Sequence, residues 1–69
     1  MSEFMTINER RIKYVGKRVR CIFMNDDHPV EPNTEGTVTS IDDIGTLHVM
    51  WDNGRTFGLV PKEDEFVFI

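Results

Sequence analysis

Residues 46–54 read TLHVMWDNG, and this stretch decides the fold. Its leucine, valine and tryptophan occupy every second position, which is the period of a β-strand with one buried face. The Asn53-Gly54 pair that follows is the strongest short signal for a hairpin, because both residues tolerate the positive φ of a type I′ turn. The pattern therefore predicts a strand at 46–52, a two-residue turn and a returning strand at 55–60.

Three more strands are predicted outside this hairpin from alternating or apolar runs between turn residues, at 18–24, 36–41 and 66–69. Upstream of them, Thr6 and Glu9 have the spacing of a capping box, which predicts a short helix over residues 7–14. Gly16 follows and is expected to end that helix, because glycine readily adopts the left-handed conformation. Residues 1–5 show no periodic pattern and are expected to form a frayed end.

Five short strands with tight turns favour a mainly β fold, namely a small five-stranded SH3-like barrel with a short N-terminal helix. An open sheet of this size would expose one apolar face, whereas a barrel buries it. We divide the chain into an N-terminal tail and short helix at 1–13 and an SH3-like barrel domain at 14–69. Residues 25–35 form a long polar loop with two prolines, and loops of this length often carry binding residues.

Charge is distributed unevenly along this chain of 69 residues, whose net charge is −4. Residues 1–20 hold six of the eight basic side chains against two acids, and residues 21–69 hold ten acids against two bases. One interpretation is that the two parts attract each other and solvate the surface. The alternative is that the basic segment follows a phosphate backbone. The nucleic-acid-binding residues would then be Arg10, Arg11, Lys13, Lys17, Arg18 and Arg20.

Composition argues against several classes of protein. The single cysteine, Cys21, excludes an internal disulfide framework and a four-cysteine zinc site. No apolar run is long enough to cross a bilayer and no signal-peptide core is present, so we expect a cytoplasmic protein without membrane contact. Alternation places Cys21 in the core and His48 outside, and we interpret Asp26, Asp42 and Asp64 as turn caps. We therefore predict no catalytic residue, no metal site and no cofactor.

Several blocks of the sequence match a known family. They are Gly16–Arg20, Met24–Asp27, Thr34–Val38, Ile41–Val49, Trp51–Gly54, Gly58–Pro61 and Glu63–Phe66. On these residues the chain, over about 14–69, resembles the small bacterial and phage family named domain of unknown function 4314. The resemblance implies a Gram-positive bacterial, phage or mobile-element origin and a compact β-barrel, and it implies no activity. Asn33 stands where the family is expected to have glycine, and asparagine tolerates left-handed backbone.

The hairpin suggests a binding site. With a two-residue loop, Asp52 would face Arg55, and Met50, Phe57 and Leu59 would form an apolar strip on the outside of the barrel. Three covers for this strip remain open: the N-terminal helix, a partner or second copy of the chain, or a register change that turns Leu59 inward. The predicted partner-binding residues are Met50, Phe57, Arg55 and His48 on the hairpin and Asp27 and His28 on the long loop.

These observations predict a non-enzymatic binding module, a protein-interaction adaptor or inhibitor with an unidentified protein partner. One alternative is nucleic-acid binding through residues 10–20. Another is a homodimer that sequesters a nucleotide between its two barrels.

Overall fold

One helix and five strands make up the computed structural model, which describes residues 6–69. In chain order they are α1 (Ile7–Tyr14), β1 (Arg18–Phe23), β2 (Glu35–Ile41), β3 (Leu47–Trp51), β4 (Thr56–Leu59) and β5 (Glu65–Phe68). The predicted helix and all five predicted strands are confirmed, with ends that differ by one or two residues at most. The frayed end predicted for residues 1–5 lies outside the described residues.

The five strands form a single antiparallel sheet in the order β4-β3-β2-β1-β5. Within residues 6–69, β4 and β5 are not hydrogen-bonded to each other, so the sheet is open and closure into a barrel is not confirmed. The segment after β1 covers the apolar face instead, because Met24 and Val30 are buried in the core. The polar loop predicted at 25–35 is thus partly a core element. The division of the chain at residues 13 and 14 stays a prediction.

The core lies on one face of this sheet and is centred on Trp51. Its buried members are Val19, Cys21, Met24, Val30, Val38, Ile41, Leu47, Val49, Trp51 and Leu59. The indole Nε1 of Trp51 donates a hydrogen bond to the carbonyl oxygen of Phe57 at 3.2 Å, which satisfies the buried ring nitrogen. Gly36 lies across from Trp51 in β2, and a Cβ there would approach the Met50 carbonyl oxygen to 2.7 Å. Trp51 and Cys21 are core residues, as predicted.

The helix is held at both of its ends. Thr6 and Glu9 form the predicted capping box, with the Glu9 amide donating to the Thr6 hydroxyl at 3.1 Å. Gly16 follows the helix with φ +91°, and its amide donates to the Val38 carbonyl of β2 at 2.7 Å. Tyr14, in the last turn, stacks on Phe68 of β5 with ring centroids 4.7 Å apart. The helix therefore packs against β2, and the Tyr14 side chain of its last turn reaches the end of β5.

A tight turn inside the long loop confirms the expectation for Asn33. The Thr34 amide donates to the Glu31 carbonyl at 3.2 Å, and Asn33 has φ 72°. Pro32 and Asn33 occupy the two central positions, which is the residue preference of a type II turn. Asn33 thus supplies the left-handed residue that this turn requires.

The register of the β3–β4 hairpin differs from the prediction. The Trp51 amide donates to the Arg55 carbonyl at 2.8 Å and the Gly54 amide to the Trp51 carbonyl at 2.9 Å. Trp51 therefore pairs with Arg55, and the loop between them has three residues rather than two. Only Gly54 has positive φ in this turn, whereas a type I′ turn needs positive φ at both Asn53 and Gly54. The predicted type I′ turn was therefore wrong, and pairing across the hairpin shifts by one residue. Leu59 pairs with Leu47 and is fully buried.

Candidate interaction surface

The outer edge of β5 carries backbone groups that have no strand beside them. Within the described residues, β5 pairs only with β1, and the Ile69 amide donates to the Arg18 carbonyl at 3.0 Å. Paired residues in an antiparallel ladder alternate between those that bond each other and those that bond outward. Phe66 and Phe68 lie opposite Cys21 and Val19 of β1, whose backbone groups point away from β5. The Cys21 amide, for example, donates to the Thr34 carbonyl on the β2 side. The N–H and C=O groups of Phe66 and Phe68 therefore face the free edge.

Apolar side chains surround this edge. Most of the large hydrophobic residues that the described chain exposes lie on β5, on β1 beside it, or on the link between α1 and β1. They are Val15, Ile22, Phe23, Val67, Phe68 and Ile69. Phe23 is 53% exposed and Val67 44% exposed. Phe68 pairs with the core residue Val19 and Val67 pairs with Arg20, so the exposed apolar side chains of β5 lie on both faces of the strand. Small proteins seldom leave so many large apolar side chains bare along one edge, so they mark a contact surface. We call the outer edge of β5 with these six residues the β5 edge.

A cleft of about 370 Å³ lies at the end of the β5 edge. Lys13, Tyr14, Lys17, Phe68 and Ile69 line it. The Lys13 ammonium lies 5.4 Å from the centroid of the Tyr14 ring, a cation–π contact. The cleft thus combines two cationic groups with aromatic walls at the C-terminal end of the strand.

The opposite end of the β5 edge is acidic. Glu63 and Glu65 are exposed there. Asp64, between them, is buried, and its carboxylate accepts from the amides of Asn25 at 2.9 Å and Val60 at 2.8 Å. Asp64 is therefore a turn cap, as predicted, while the two glutamates are open to a partner. The edge has a positive end and a negative end.

The predicted hairpin surface is divided between two faces of the sheet. Because the register is shifted, Phe57 pairs with Val49 on the core side and is partly buried, whereas Met50 and His48 lie on the other side. Leu59 is in the core, so the predicted strip of Met50, Phe57 and Leu59 does not exist. Leu59 points inward because of a register change, which was one of the alternatives predicted from the sequence. The change arises at the turn rather than at Gly58.

Arg55 connects the hairpin to the long loop. Its guanidinium donates to the carbonyl oxygens of His28 at 2.7 Å and Pro29 at 3.0 Å, and its Cζ lies 5.2 Å from the Phe57 ring centroid. The structure thus brings Arg55 and Phe57 of the hairpin to the backbone of the long loop at His28, and Asp27 is exposed in the same loop. The predicted pair of Asp52 with Arg55 was wrong, because Asp52 bonds Arg18 at 2.9 Å.

His48 lies beside Asp42 and is half-exposed. His48 Nε2 lies 3.0 Å from Asp42 Oδ2, and the other carboxylate oxygen accepts from the amides of Ile44 and Thr46. These hydrogen bonds, the one from His48 first, lower the pKa of Asp42 below its ordinary value. Asp42 thus caps the β2–β3 turn, as predicted. Asp26 is also a turn cap, as predicted, because its carboxylate accepts from the His28 amide at 2.9 Å in the long loop.

Half of the predicted nucleic-acid residues are paired with acids. Arg11 bonds Asp43 at 2.9 Å, and Arg20 bonds Glu35 at 3.0 Å. Arg18 bonds Asp52, which raises the arginine pKa and lowers that of the carboxylate. These pairs support the interpretation that the basic and acidic parts of the chain attract each other. Arg10, Lys13 and Lys17 form no ion pair within the region that the structure covers.

The one cysteine and the metal-ligating residue types bear on whether the described region holds a reactive or metal-binding arrangement. Cys21 is fully buried, and burial raises the pKa of its thiol, which disfavours the reactive thiolate. No group of three or more His, Cys, Asp or Glu side chains that could hold a metal ion occurs among residues 6–69. The one helix of that region is also too short and too polar to span a bilayer.

The sequence prediction did not include the β5 edge as a site. It identified a strand at 66–69 but assigned it only to the fold. A signal was present, because Phe66–Ile69 is an apolar run without polar alternation. A run of this kind indicates a strand covered on both faces, and an edge strand at the surface is not so covered.

Comparison with known proteins identifies one family. The family described as a domain of unknown function (DUF4314) matches residues 5–69, which is essentially the whole chain. Neither the curated proteins nor the solved structures provide a significant match.

Proposed function

The chain belongs to the family described as a domain of unknown function (DUF4314), and on this premise we propose that it is a non-enzymatic protein-interaction module. It binds an extended segment of its partner along the β5 edge. The observation that carries the proposal is the free row of backbone groups at Phe66 and Phe68, flanked by exposed apolar side chains.

Strand addition uses these features in a known physical way. Main-chain hydrogen bonds to an exposed sheet edge supply affinity, and side chains on alternate positions supply specificity. Natural proteins usually protect such edges with charges, prolines or bulges. β5 contains no proline and one charge, Glu65 at its first residue. The bulge of this strand pair lies in β1, between Cys21 and Phe23. The edge is thus open for pairing over Phe66 and Phe68.

The hairpin surface is a weaker binding site than the β5 edge. Arg55 and Phe57 are engaged with each other and with the loop, and His48 is engaged with Asp42. Met50 is the one predicted contact residue with a large exposed apolar side chain, at 48%. A partner would therefore find few unsatisfied groups there.

We further propose that the sheet is an SH3-like barrel that is only partly closed. The strand order β4-β3-β2-β1-β5, in which the last strand pairs with the first, supports this architecture. So do the register shifts between Cys21 and Phe23 in β1 and between Val38 and Ser40 in β2, because bulges bend strands at the corners of small barrels. A solution or crystal structure with an unbent sheet would contradict it.

One observation favours a second function, binding of single-stranded nucleic acid. The cleft of Lys13 and Lys17 beside Tyr14 joins cations to an aromatic wall, the combination on which nucleotides bind. A labelled single-stranded oligonucleotide titrated at several salt concentrations tests it. Affinity that falls steeply with salt and is lost in the double variant K13E/K17E would support nucleic-acid binding. No binding at low salt would rule it out.

Strand addition is tested by blocking the outward N–H groups without changing any side chain. Cys21 permits native chemical ligation, so residues 21–69 can be made synthetically and joined to the rest. N-methylation of Phe68 then removes one outward donor and places a methyl group on the edge. The matched control is N-methylation of Gly58 in β4, the strand at the opposite edge of the sheet. The alternation of the β3–β4 ladder points the Gly58 N–H outward as well.

Random twelve-residue peptides displayed on phage serve as the probe. We expect sequences with alternating β-branched and aromatic residues to be enriched on the unmodified chain and on the Gly58 control, and to be lost after methylation of Phe68. Their binding should slow hydrogen exchange of the Phe66 and Phe68 amides. Failure to enrich such peptides, or equal enrichment on all three proteins, would overturn the proposal.

A further inference from the structure

We infer that the extended segment bound at the β5 edge is β5 of a second copy of this chain, paired antiparallel about a two-fold axis. This inference rests on the proposed function and names its partner. Two sheets would then join edge to edge into one sheet of ten strands.

The alternation of backbone groups determines the register of this pairing. Because Phe66 and Phe68 present their N–H and C=O groups outward, antiparallel pairing places Phe66 opposite Phe68 of the second copy. Val67 then lies on the two-fold axis, opposite Val67 of the second copy. The two strands exchange four hydrogen bonds in this register, and no outward group of either phenylalanine is left unpaired.

The charges at the two ends of the edge are self-complementary in this arrangement. An antiparallel partner places its Glu65 opposite Ile69, which brings its acidic end to the end of β5 beside Lys13 and Lys17. The two-fold axis repeats the contact, so the dimer contains it twice. A parallel arrangement would place lysines against lysines. The distribution of charge thus favours the antiparallel dimer over a foreign strand of arbitrary sequence.

The apolar side chains are also matched. Phe68 stacks on Tyr14 and contacts Phe66 edge-on, with centroids 5.6 Å apart. Pairing of Phe66 with Phe68 of the second copy continues this aromatic row across the interface. On the opposite face Val67, which is largely exposed in the single chain, is covered by its own symmetry mate. The dimer therefore covers apolar side chains of β5 that a monomer leaves in water.

Sedimentation equilibrium of the full chain over a wide concentration range tests the inference. The short edge predicts a weak dimer, so its fraction should rise with concentration. Reversal of one charge, in K17E or in E65K, places like charges together at two symmetric contacts and should weaken the dimer about tenfold. E31K, in the long loop, makes the same charge change as E65K away from the edge and should leave association unchanged.

A mixture of the two charge variants gives the sharpest result. In a heterodimer of K17E with E65K, each reversed residue faces an opposite charge, so the mixture should regain the association that either variant lacks alone. N-methylation of Phe68 should abolish the dimer, and N-methylation of Gly58 should not. Association that ignores these changes, or variants that do not rescue each other, would overturn the antiparallel β5 pairing.

The outcomes separate this inference from the proposed function. A chain that stays monomeric at all concentrations yet binds displayed peptides at Phe66 and Phe68 refutes the second copy as partner and leaves strand addition intact. A chain that neither dimerises nor binds such peptides refutes both.

Discussion

The two edges of the sheet, β4 and β5, are built differently. β4 is bound into the core through Leu59, which is fully buried, and its hairpin is fastened by the Arg55 guanidinium to the long loop. β5 buries Phe66 only in part and leaves Val67 and Phe68 more than two-fifths exposed. One edge thus stabilises the domain and the other is available for pairing. Changes at β4 should alter the free energy of unfolding, and changes at β5 should alter association.

The largest contrast is expected between truncations of one buried and one exposed side chain. Leu59→Ala should lower the free energy of unfolding by about 3 kcal/mol, since it removes transfer energy and leaves a cavity. Val67→Ala at the β5 edge should change it by less than about 0.5 kcal/mol, as exposed substitutions do. Urea denaturation at a concentration where the chain is monomeric measures both. Equal losses would mean that β5 is as deeply embedded as β4.

Asp64 lies in the turn that joins the two edges, and its loss should be the next most costly. Its two oxygens accept from the amides of Asn25 and Val60, and an asparagine can accept only on one side. Asp64→Asn should therefore cost about 2 kcal/mol of unfolding free energy, because a partly buried amide loses a charged acceptor. Asp27→Asn makes the same change at an exposed position and is the control. A loss no larger than that of the control would remove Asp64 from its role as a cap.

Arg55 fastens β4 to the loop, and its effect should be local. Arg55→Lys keeps the charge but cannot donate to the His28 and Pro29 carbonyls in the same forked geometry. We expect a loss of about 1 kcal/mol and faster amide exchange in residues 25–34. Exchange at Phe66 and Phe68 should not change. A change that spread to β5 would show that the two edges are coupled.

The hairpin and the long loop show how far sequence reasoning extends. Alternation at Leu47, Val49 and Trp51 predicted β3 and its buried face, because that pattern is local. The register of β4 depends on one residue in the turn: Asn53 and Gly54 allow a type I′ turn, and the chain instead uses Gly54 alone with positive φ. This choice inverted the predicted surface at Phe57 and Leu59.

The sheet edges were beyond the reach of local patterns. Val30, a single apolar residue between Pro29 and Glu31, enters the core only because the loop folds back over the sheet. The free edge of β5 follows from the strand order, which depends on which strand pairs with β1. A sequence can indicate the strand at 66–69, but which strand lies beside it depends on contacts between residues far apart in the chain. The candidate surface was therefore missed although its residues were identified.

The smallest expected effect is the acid sensitivity of the link between the β3–β4 turn and β1. The hydrogen bond from Arg18 lowers the pKa of Asp52 below its ordinary value of 3.8. A carboxyl group whose pKa is lower in the folded state stabilises the fold above the ordinary value and loses that contribution as pH falls through the folded pKa. Unfolding free energy should thus decline as the pH drops below about 4.

Asp52→Asn should flatten this part of the pH profile and lower stability slightly at neutral pH, because the side chain is exposed and its ion pair is screened. Asp27→Asn is again the control and should leave the slope as it is. Urea denaturation repeated across the acidic range measures all three proteins. Since Asp52 lies on the β4 side, β5 association of the variant at neutral pH should equal that of the parent chain. A profile that Asp52→Asn leaves unchanged would mean that the ion pair with Arg18 does not hold in solution, and that the β3–β4 turn is not linked to β1 through it.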